Sequence, residues 1–306
     1  GRGKKIIRGL VKYVFNWFFA LLFKYRMDDL KLRTKLVHSN TITSDFGIQL
    51  ASMLTVPHIW HIREMAKLTF NFDFELGTSY ILKMMDKTDT VIFNSETTRD
   101  YYTELVSKVD SRVIHNGVPE PTHVKNFKDG KNNFKILFIG RLTPEKNQHF
   151  AIRACKLLWL MGKKDFILDF WGDGENYNQL QSLIDSLGLS RHVTLRGFGQ
   201  NIPIHDYSIG LSCADTEAFG RITAEYMMCG LPVVGVDSLA NCELMTADTG
   251  MFYETGNLEQ FGEALSTLYG DIALCQRLGE NGRARAKAKF TEQAYGDAIL
   301  AVYDEF

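Results

Sequence analysis

Neither sign of charge is in excess: the 306 residues carry 35 Lys and Arg against 36 Asp and Glu, a formal net charge of -1. A chain that coats nucleic acid carries a large basic surplus, so a nucleic-acid partner is not expected. Cysteine is scarce and unpatterned. Cys155, Cys213, Cys229, Cys242 and Cys275 are odd in number and none lies in a C-x-x-C pair. That speaks against a disulfide framework or a thiolate zinc site and for a reducing cytoplasm. Long apolar runs are missing too. The most apolar stretch, Trp17 to Phe23, falls well short of the roughly 20 residues that a spanning helix needs. No small-residue cleavage site follows it, so it does not read as a signal peptide. There is no complete G-x-G-x-x-G after a strand, which argues against a nicotinamide oxidoreductase. No aspartate cluster is spaced to hold a divalent metal, no short-period repeat occurs, and the first residue is not Met, a hint of a fragment.

What is present suits two domains of ordinary size: 45% hydrophobic and 23% charged residues over this length. The N-terminal segment GRGKKIIRGLVKYVFNWFFALLFK is basic first and apolar afterwards. Two readings of it stand. It is either a buried or partner-facing helix of the first domain, or an amphipathic surface that sets Lys4, Lys5, Arg8 and Lys12 against anionic lipid.

Strand-like runs alternate with helical stretches along the rest of the chain. Lys35 to Asn40, Val56 to Arg63, Thr90 to Ser95 and Ser111 to Val118 read as strands, with helices at Asp45 to Leu54, Ser79 to Met85 and Glu96 to Val106. Pro119 to Asn133 is polar and rich in turn formers, as an interdomain linker is. Strands are then predicted at Phe134–Gly140, Asp165–Gly172, His192–Phe198, Tyr207–Ala214 and Leu231–Asp237. Helices are predicted through Leu160, near Leu180 to Leu187 and up to Cys229, with mainly helix to Phe306. Such alternation is the pattern of an α/β protein with doubly wound parallel sheets. The division that follows is a first domain over 1–120, a linker over 121–133 and a second domain over 134–306, with a last helix that can cross back to the first.

Two segments can carry chemistry. In DTEAFGRITAEYMMCGLPVVG, Glu217 and Glu225 flank a helix start at Phe219, Gly220 and Arg221. Gly230 and Pro232 close the helix, one by taking the left-handed residue after its end and the other by preventing its resumption. Unpaired amides at such a start attract an anion, and Glu225 further along can accept from a pair of ribose hydroxyls. Alone, the two glutamates read more readily as a dipole-complementing acid and a solvated helix residue than as ligand-binding groups. In FIGRLTPEKN, a strand ends at Gly140, and Arg141 and Lys146 follow it. Thr143 and Pro144 look like an N-cap and a first helical residue, which puts Lys146 at the helix start and makes the cations a diphosphate clamp. Alone, they are solvated loop charges. WGDGENYN adds a weak G-x-G.

The order GRLTPEKN, FWGDGEN, LRGFGQN and the Glu217-to-Glu225 segment with CGLPVVG resembles the second half of a GT-B glycosyltransferase. Specifically it is similar to the retaining family 4, glycosyl transferases group 1, of capsule, exopolysaccharide and lipopolysaccharide assembly. The resemblance is strong from about Lys135 to Phe290 and weaker before, through VHSN, WHIRE, VIFNSE and VIHNGV. It implies two Rossmann-like parallel-sheet domains facing each other, the first without its opening βαβ unit and its Gly-rich loop. It also implies roles. Arg141 and Lys146 hold the donor diphosphate, Glu225 the nucleotide ribose and Glu217 the donor sugar. Gly140, Phe219, Gly220 and Arg221 lie along the donor, with Phe198 and Gly199 near the base. His61 faces the reaction centre, and Arg63 and Glu64 orient the acceptor; for His61 a satisfied core histidine is the structural alternative. Glu243 matches the family, but SLANCEL stands where a glycine-containing turn is usual.

The implied activity is transfer of a sugar from a nucleotide donor, UDP-linked, to a lipid-linked or oligosaccharide acceptor with retention and without a metal or other cofactor. The implied location is the cytoplasm, at the inner face of the plasma membrane if the basic helix binds lipid. A sugar-nucleotide-binding subunit without turnover is the alternative from another class, and a sugar-nucleotide epimerase the one within the fold.

Overall fold

The computed structural model describes residues 2–26, 33–70, 72–103, 110–127 and 134–306. It divides into two compact units: Gly1–His115 with Tyr295–Phe306, and Asn116–Ala294. The first contains α1 (Arg2–Arg26), β1 (Val37–Asn40), α2 (Phe46–Leu54), β2 (His58–Ile62), α3 (Ala66–Phe70), α4 (Thr78–Met85), β3 (Thr90–Phe93), α5 (Glu96–Thr103) and β4 (Ser111–Val113). Its four strands are parallel in the order β1-β2-β3-β4. The second unit has β5 (Phe134–Ile139), α6 (Gln148–Leu160), β6 (Phe166–Trp171), α7 (Tyr177–Ser186), β7 (Val193–Gly197), β8 (Ile209–Ser212), α8 (Arg221–Met228), β9 (Val233–Val236), α9 (Leu239–Leu244), β10 (Gly250–Tyr253), α10 (Leu258–Gly270) and α11 (Ile272–Lys289). A last helix, α12 (Glu292–Tyr303), passes from the second unit into the first.

The second sheet is also parallel, in the order β10-β9-β8-β5-β6-β7. Chain order therefore reverses between β5 and β8. The strand sequences explain why the sheet is covered on both faces. Within FKILFI, Ile136 to Ile139 form an unbroken apolar run whose centre is buried, as a parallel strand covered on both sides requires. Successive side chains of β5 point to opposite faces. Ile136 and Phe138 join a core with Ile152, Cys155 and Leu158 of α6, and Leu137 joins one with Tyr226 and Met227 of α8 and Val233 of β9. In the first unit, Trp60, Ile62, Val91 and Phe93 pack with Tyr102 on one face, and Ile59 and Ile92 take Ile299 and Val302 of α12 on the other.

One expectation is corrected, and two elements refine the reading of the last part as mainly helix. The strand over Ser111 to Val118 stops at Val113, and Val118 makes only an isolated bridge to Thr291. The region after Asp237 is not simply helical: GMFY forms the edge strand β10 against β9, a run too short to announce itself between helices. SLANCEL is the helix α9, with the Ser238 side chain as its N-cap. The predicted helix end over 104–106 and the linker residues 128–133 lie outside the described residues. All five cysteines are free.

One side of α1 touches the first unit: Gly9 lies against Leu76 and Glu75, and the Tyr13 ring meets Tyr80 edge-on at 6.2 Å. Ile7, Val14, Phe15 and Trp17 are at least half exposed. Among the described residues no helix is long and apolar enough to cross a membrane.

The interior of the second unit is closed by stacked aromatics: Tyr253 of β10 and Phe261 of α10 lie 4.1 Å apart, 5° from parallel, and Phe261 is fully buried. Phe261→Ala removes this layer and is expected to cost about 3–5 kcal/mol. Denaturant unfolding followed by circular dichroism should show an earlier midpoint for the transition of the second unit.

Candidate active site

In a parallel sheet, a crevice opens beyond the carboxyl ends of two neighbouring strands whose connections leave in opposite directions. Here those strands are β5 and β8, and the segments that leave them are Gly140–Asn147 and Cys213–Gly220. The first leads to α6 and the second to α8.

The segment after β5 is shorter in helix than expected. Pro144–Lys146 is a single 3-10 turn with Thr143 before it, and the Thr143 side chain makes no capping bond. Asn147 follows at φ 53°, in the left-handed region, and α6 starts only at Gln148. Lys146 thus ends a short turn ahead of the helix instead of sitting within its first turn. The carbonyl of Arg141 accepts from the Gln148 amide at 2.6 Å, and the Arg141 side chain is exposed. Gly140 donates its backbone N–H to the Trp171 carbonyl at 2.9 Å, joining this segment to the end of β6.

At the end of β8, Gly220 is the N-cap of α8 with φ 79°. A side chain there would be strained, and its Cβ would stand 3.0 Å from Leu244 and 3.3 Å from the Glu217 carboxylate. Glycine keeps Glu217 close to the helix mouth, where the first amides have no partner within the helix. Glu217 receives the ammonium of Lys146. The two segments therefore meet through opposite charges, each side chain only partly exposed. Glu225, one turn beyond Arg221, accepts from its guanidinium Nε at 2.9 Å. Phe219 is buried, and its ring meets Phe290 edge-on.

A third segment closes on the first. Gly172 follows β6 at φ 148°, and a Cβ there would stand 1.9 Å from the Gly140 carbonyl oxygen. The G-x-G of WGDGEN is thus a backbone requirement of close approach, which no motif count reveals. Beyond β7, Phe198 is 76% exposed and Gly199 lies on the Trp171 ring. The indole N–H of Trp171 donates to Tyr207 Oη at 2.9 Å, and that hydroxyl donates to Asp169 at 3.0 Å. Arg196 also binds Asp169, at 2.9 Å.

Other residues of this region carried no sequence signal of their own. Asn241 of α9 is buried. Its amide oxygen accepts from Ser212 at 3.0 Å and Thr223 at 3.3 Å, and its amide nitrogen donates to the Val236 carbonyl at 2.9 Å. It ties the ends of β8 and β9 to α8. The carbonyls of Glu243 and Leu244 accept from Arg285.

In the first unit, His61 ends up fully buried on β2, stacked on His38 with ring centres 5.6 Å apart. Neither of its ring nitrogens has a hydrogen-bond partner among the described residues. Burial, with the nearby Arg63 and His38, pushes its pKa down to about 3. The ring is a neutral imidazole with both nitrogens unsatisfied, so it is buried without being a satisfied core histidine. Arg63 lies over the Tyr295 ring and donates to its hydroxyl. The Oε1 of Glu64 accepts from Thr41 and, at 2.9 Å, from the Ile42 N–H, holding the turn after β1.

The sequence family described as Glycosyl transferases group 1 matches residues 120–285, more than half of the chain. The chain belongs to that family. Among its relatives, this group 1 chain is 26% identical over 231 residues to the lipopolysaccharide core biosynthesis glycosyltransferase LpsE of Rhizobium meliloti, covering 72% of the chain and 65% of LpsE. It is 24% identical over 180 residues to the capsular polysaccharide biosynthesis glycosyltransferase CapM of Staphylococcus aureus, covering 57% of the chain and 47% of CapM. A Streptomyces coelicolor exopolysaccharide phosphotransferase is 29% identical over 199 residues, which are 63% of the chain and 21% of that protein. The chain spans between about a fifth and two thirds of the length of these curated relatives. Among solved structures, Anabaena HepE in complex with UDP superposes with a TM-score of 0.80 at 20% identity, covering 92% of this chain and 82% of HepE. The fold is that of GT-B glycosyltransferases, with a parallel α/β sheet in each unit.

The state of His61 has a consequence for stability. Its folded pKa lies far below the value near 6.5 of an unfolded chain, so between pH 6.5 and 3 the unfolded chain binds more protons. Stability is then full above pH 6.5 and falls as the pH drops, by about 1.4 kcal/mol per pH unit for this group. His58, lowered to about 4, adds to the same slope. His61→Phe should flatten the loss of stability of the first unit between pH 7 and 5, as read by urea midpoints; an unchanged slope would show that His61 does not set it.

Proposed function

We propose that this chain supplies the donor-binding site of a retaining glycosyltransferase of cell-surface polysaccharide synthesis. It moves a hexose from a nucleotide sugar, UDP-linked, to a lipid-linked or oligosaccharide acceptor. The observation that carries this reading is the meeting of Lys146 with Glu217 at the crevice between β5 and β8, beside the N-terminus of α8. A nucleoside diphosphate is the anion that suits such a place: Arg141 offers a planar fork, Lys146 a point charge and α8 its unpaired amides. Glu225 takes the ribose hydroxyls, exchanging part of its bond to Arg221 for them. Glu217 faces the sugar hydroxyls while it holds Lys146. HepE was solved with UDP, and LpsE and CapM are named for surface-polysaccharide glycosyltransferases, which supports the same substrate classes.

In the proposed step, the bond from the anomeric carbon to the β-phosphate oxygen breaks as the acceptor oxygen bonds to that carbon on the same face. The acceptor's proton passes to the departing phosphate oxygen. Charge therefore grows on the diphosphate, where Arg141, Lys146 and the helix mouth stabilise it most. No carboxylate nucleophile and no divalent metal take part. His61 is assigned to the reaction centre, and Arg63 and Glu64 to the acceptor side. A binding subunit without turnover is the second reading, and hydrolysis or transfer of the donor separates the two.

Lys146→Ala and Glu225→Ala should each weaken UDP binding in calorimetry by about tenfold or more, the loss of one charged hydrogen bond. Wild-type affinity in both variants overturns the donor reading.

A membrane location is a separate proposal that rests on α1. Val14, Phe15, Trp17 and Phe18 are at least half exposed, with exposed Arg8 and Lys12 on the same helix. Aromatic and basic side chains together fit an anionic lipid surface. The protein should sediment with phosphatidylglycerol vesicles and not with neutral phosphatidylcholine vesicles. Equal partitioning, or none, removes the proposal.

A further inference from the structure

The residue after Lys146 behaves against its type. Asn147 occupies the N-cap position of α6, where asparagine ordinarily turns its side-chain oxygen back to the amides of its own helix. It makes no such bond. Instead its amide nitrogen crosses to the segment after β8, donating to the Cys213 carbonyl at 3.0 Å and to Asp215 Oδ2 at 2.8 Å. The other oxygen of Asp215 accepts from Thr255 at 3.4 Å, beyond the end of β10. Two adjacent residues of one loop, Lys146 and Asn147, thus grip two alternate residues of another, Glu217 and Asp215. The two grips differ in kind. Lys146 and Glu217 are the groups that a charged ligand would engage, so their bond is open to exchange. Asn147 and Asp215 face each other and a backbone carbonyl, and that bond has no reason to change.

We infer that Asn147 and Asp215 are positioning residues: their hydrogen bond holds the loop after β5 against the loop after β8, so that Lys146 stays in place when its partner changes from Glu217 to a diphosphate. This rests on the donor reading above. The competing explanation for Asn147 is conformational, since asparagine tolerates a positive φ better than most residues. Glycine tolerates it better still. Asn147→Gly therefore keeps the backbone conformation and removes the side chain's bonds to Asp215 and to the Cys213 carbonyl.

The test measures UDP binding by calorimetry and the thermal midpoint for the full chain and four variants. Asn147→Gly and Asp215→Ala should each raise the Kd for UDP about tenfold, because ordering the loop after β5 then falls to the binding step, with a midpoint close to wild type since the contact is exposed. Asp215→Asn keeps an acceptor oxygen toward Asn147 and should bind nearly as wild type does. The double variant Asn147→Gly/Asp215→Ala should be no weaker than either single one, as expected when both changes remove the same interaction. Wild-type affinity in Asn147→Gly overturns the clasp and leaves the donor reading intact. So does a loss of affinity matched by a fall in midpoint, which marks a purely structural bond. Should Asn147→Gly not fold, equal affinities for Asp215→Ala and Asp215→Asn overturn it by themselves. A wild-type chain that binds none of UDP, GDP and ADP overturns the donor reading, and the clasp falls with it.

Discussion

The second unit depends on one constraint, the reversal of chain order between β5 and β8 in a parallel sheet. All strands there run the same way, so every connection returns over a face of the sheet. At β5 and β8, neighbouring strands that are not consecutive in the chain send their connections to opposite faces, α6 to one and α8 to the other. The backbone segments that leave those strands cannot cover the gap between them. A crevice follows from topology, and the polar groups of the two segments line it because apolar side chains are spent on the faces.

Close backbone approach shapes what enters that crevice. Gly172 and Gly220 stand where a Cβ would collide with the Gly140 carbonyl or crowd Glu217 and Leu244. Their absence of a side chain lets three strand ends converge within hydrogen-bonding distance. The result is a set of loops held by specific bonds: Gly140 to Trp171, Asn147 to Cys213 and Asp215, and Lys146 to Glu217. Charge is then placed by rigid elements, which is what stabilisation of a developing anion requires.

The first unit solves a different problem. Its sheet has strands in simple sequential order, and its histidines are set into it rather than around a switch point. Burial of His61 without partners keeps the ring neutral, and a neutral ring can accept or donate one hydrogen bond without introducing charge. Glu64, by contrast, spends its carboxylate on the turn after β1, and Arg63 its guanidinium on a tyrosine of α12.

Period and punctuation in the sequence already determined most elements. Apolar runs such as Ile136 to Ile139 in β5 mark parallel strands, and Gly220, Gly230 and Pro232 bracket α8 to within a residue or two. The short edge strand β10 was not legible, because a few residues between helices carry too little pattern to compete with their neighbours. The charged pair of the crevice was legible as residue types in a familiar order. Its pairing was not: Lys146 and Glu217 are 71 positions apart, and only strand order brings them into contact. The same holds for Asn147, which stands at the N-cap position of α6 and whose side chain instead crosses to Asp215. Local backbone preference acts over a few residues and can be read from them. Which loop meets which is settled by the order of strands in a sheet, a property of the whole chain that no short stretch of it contains.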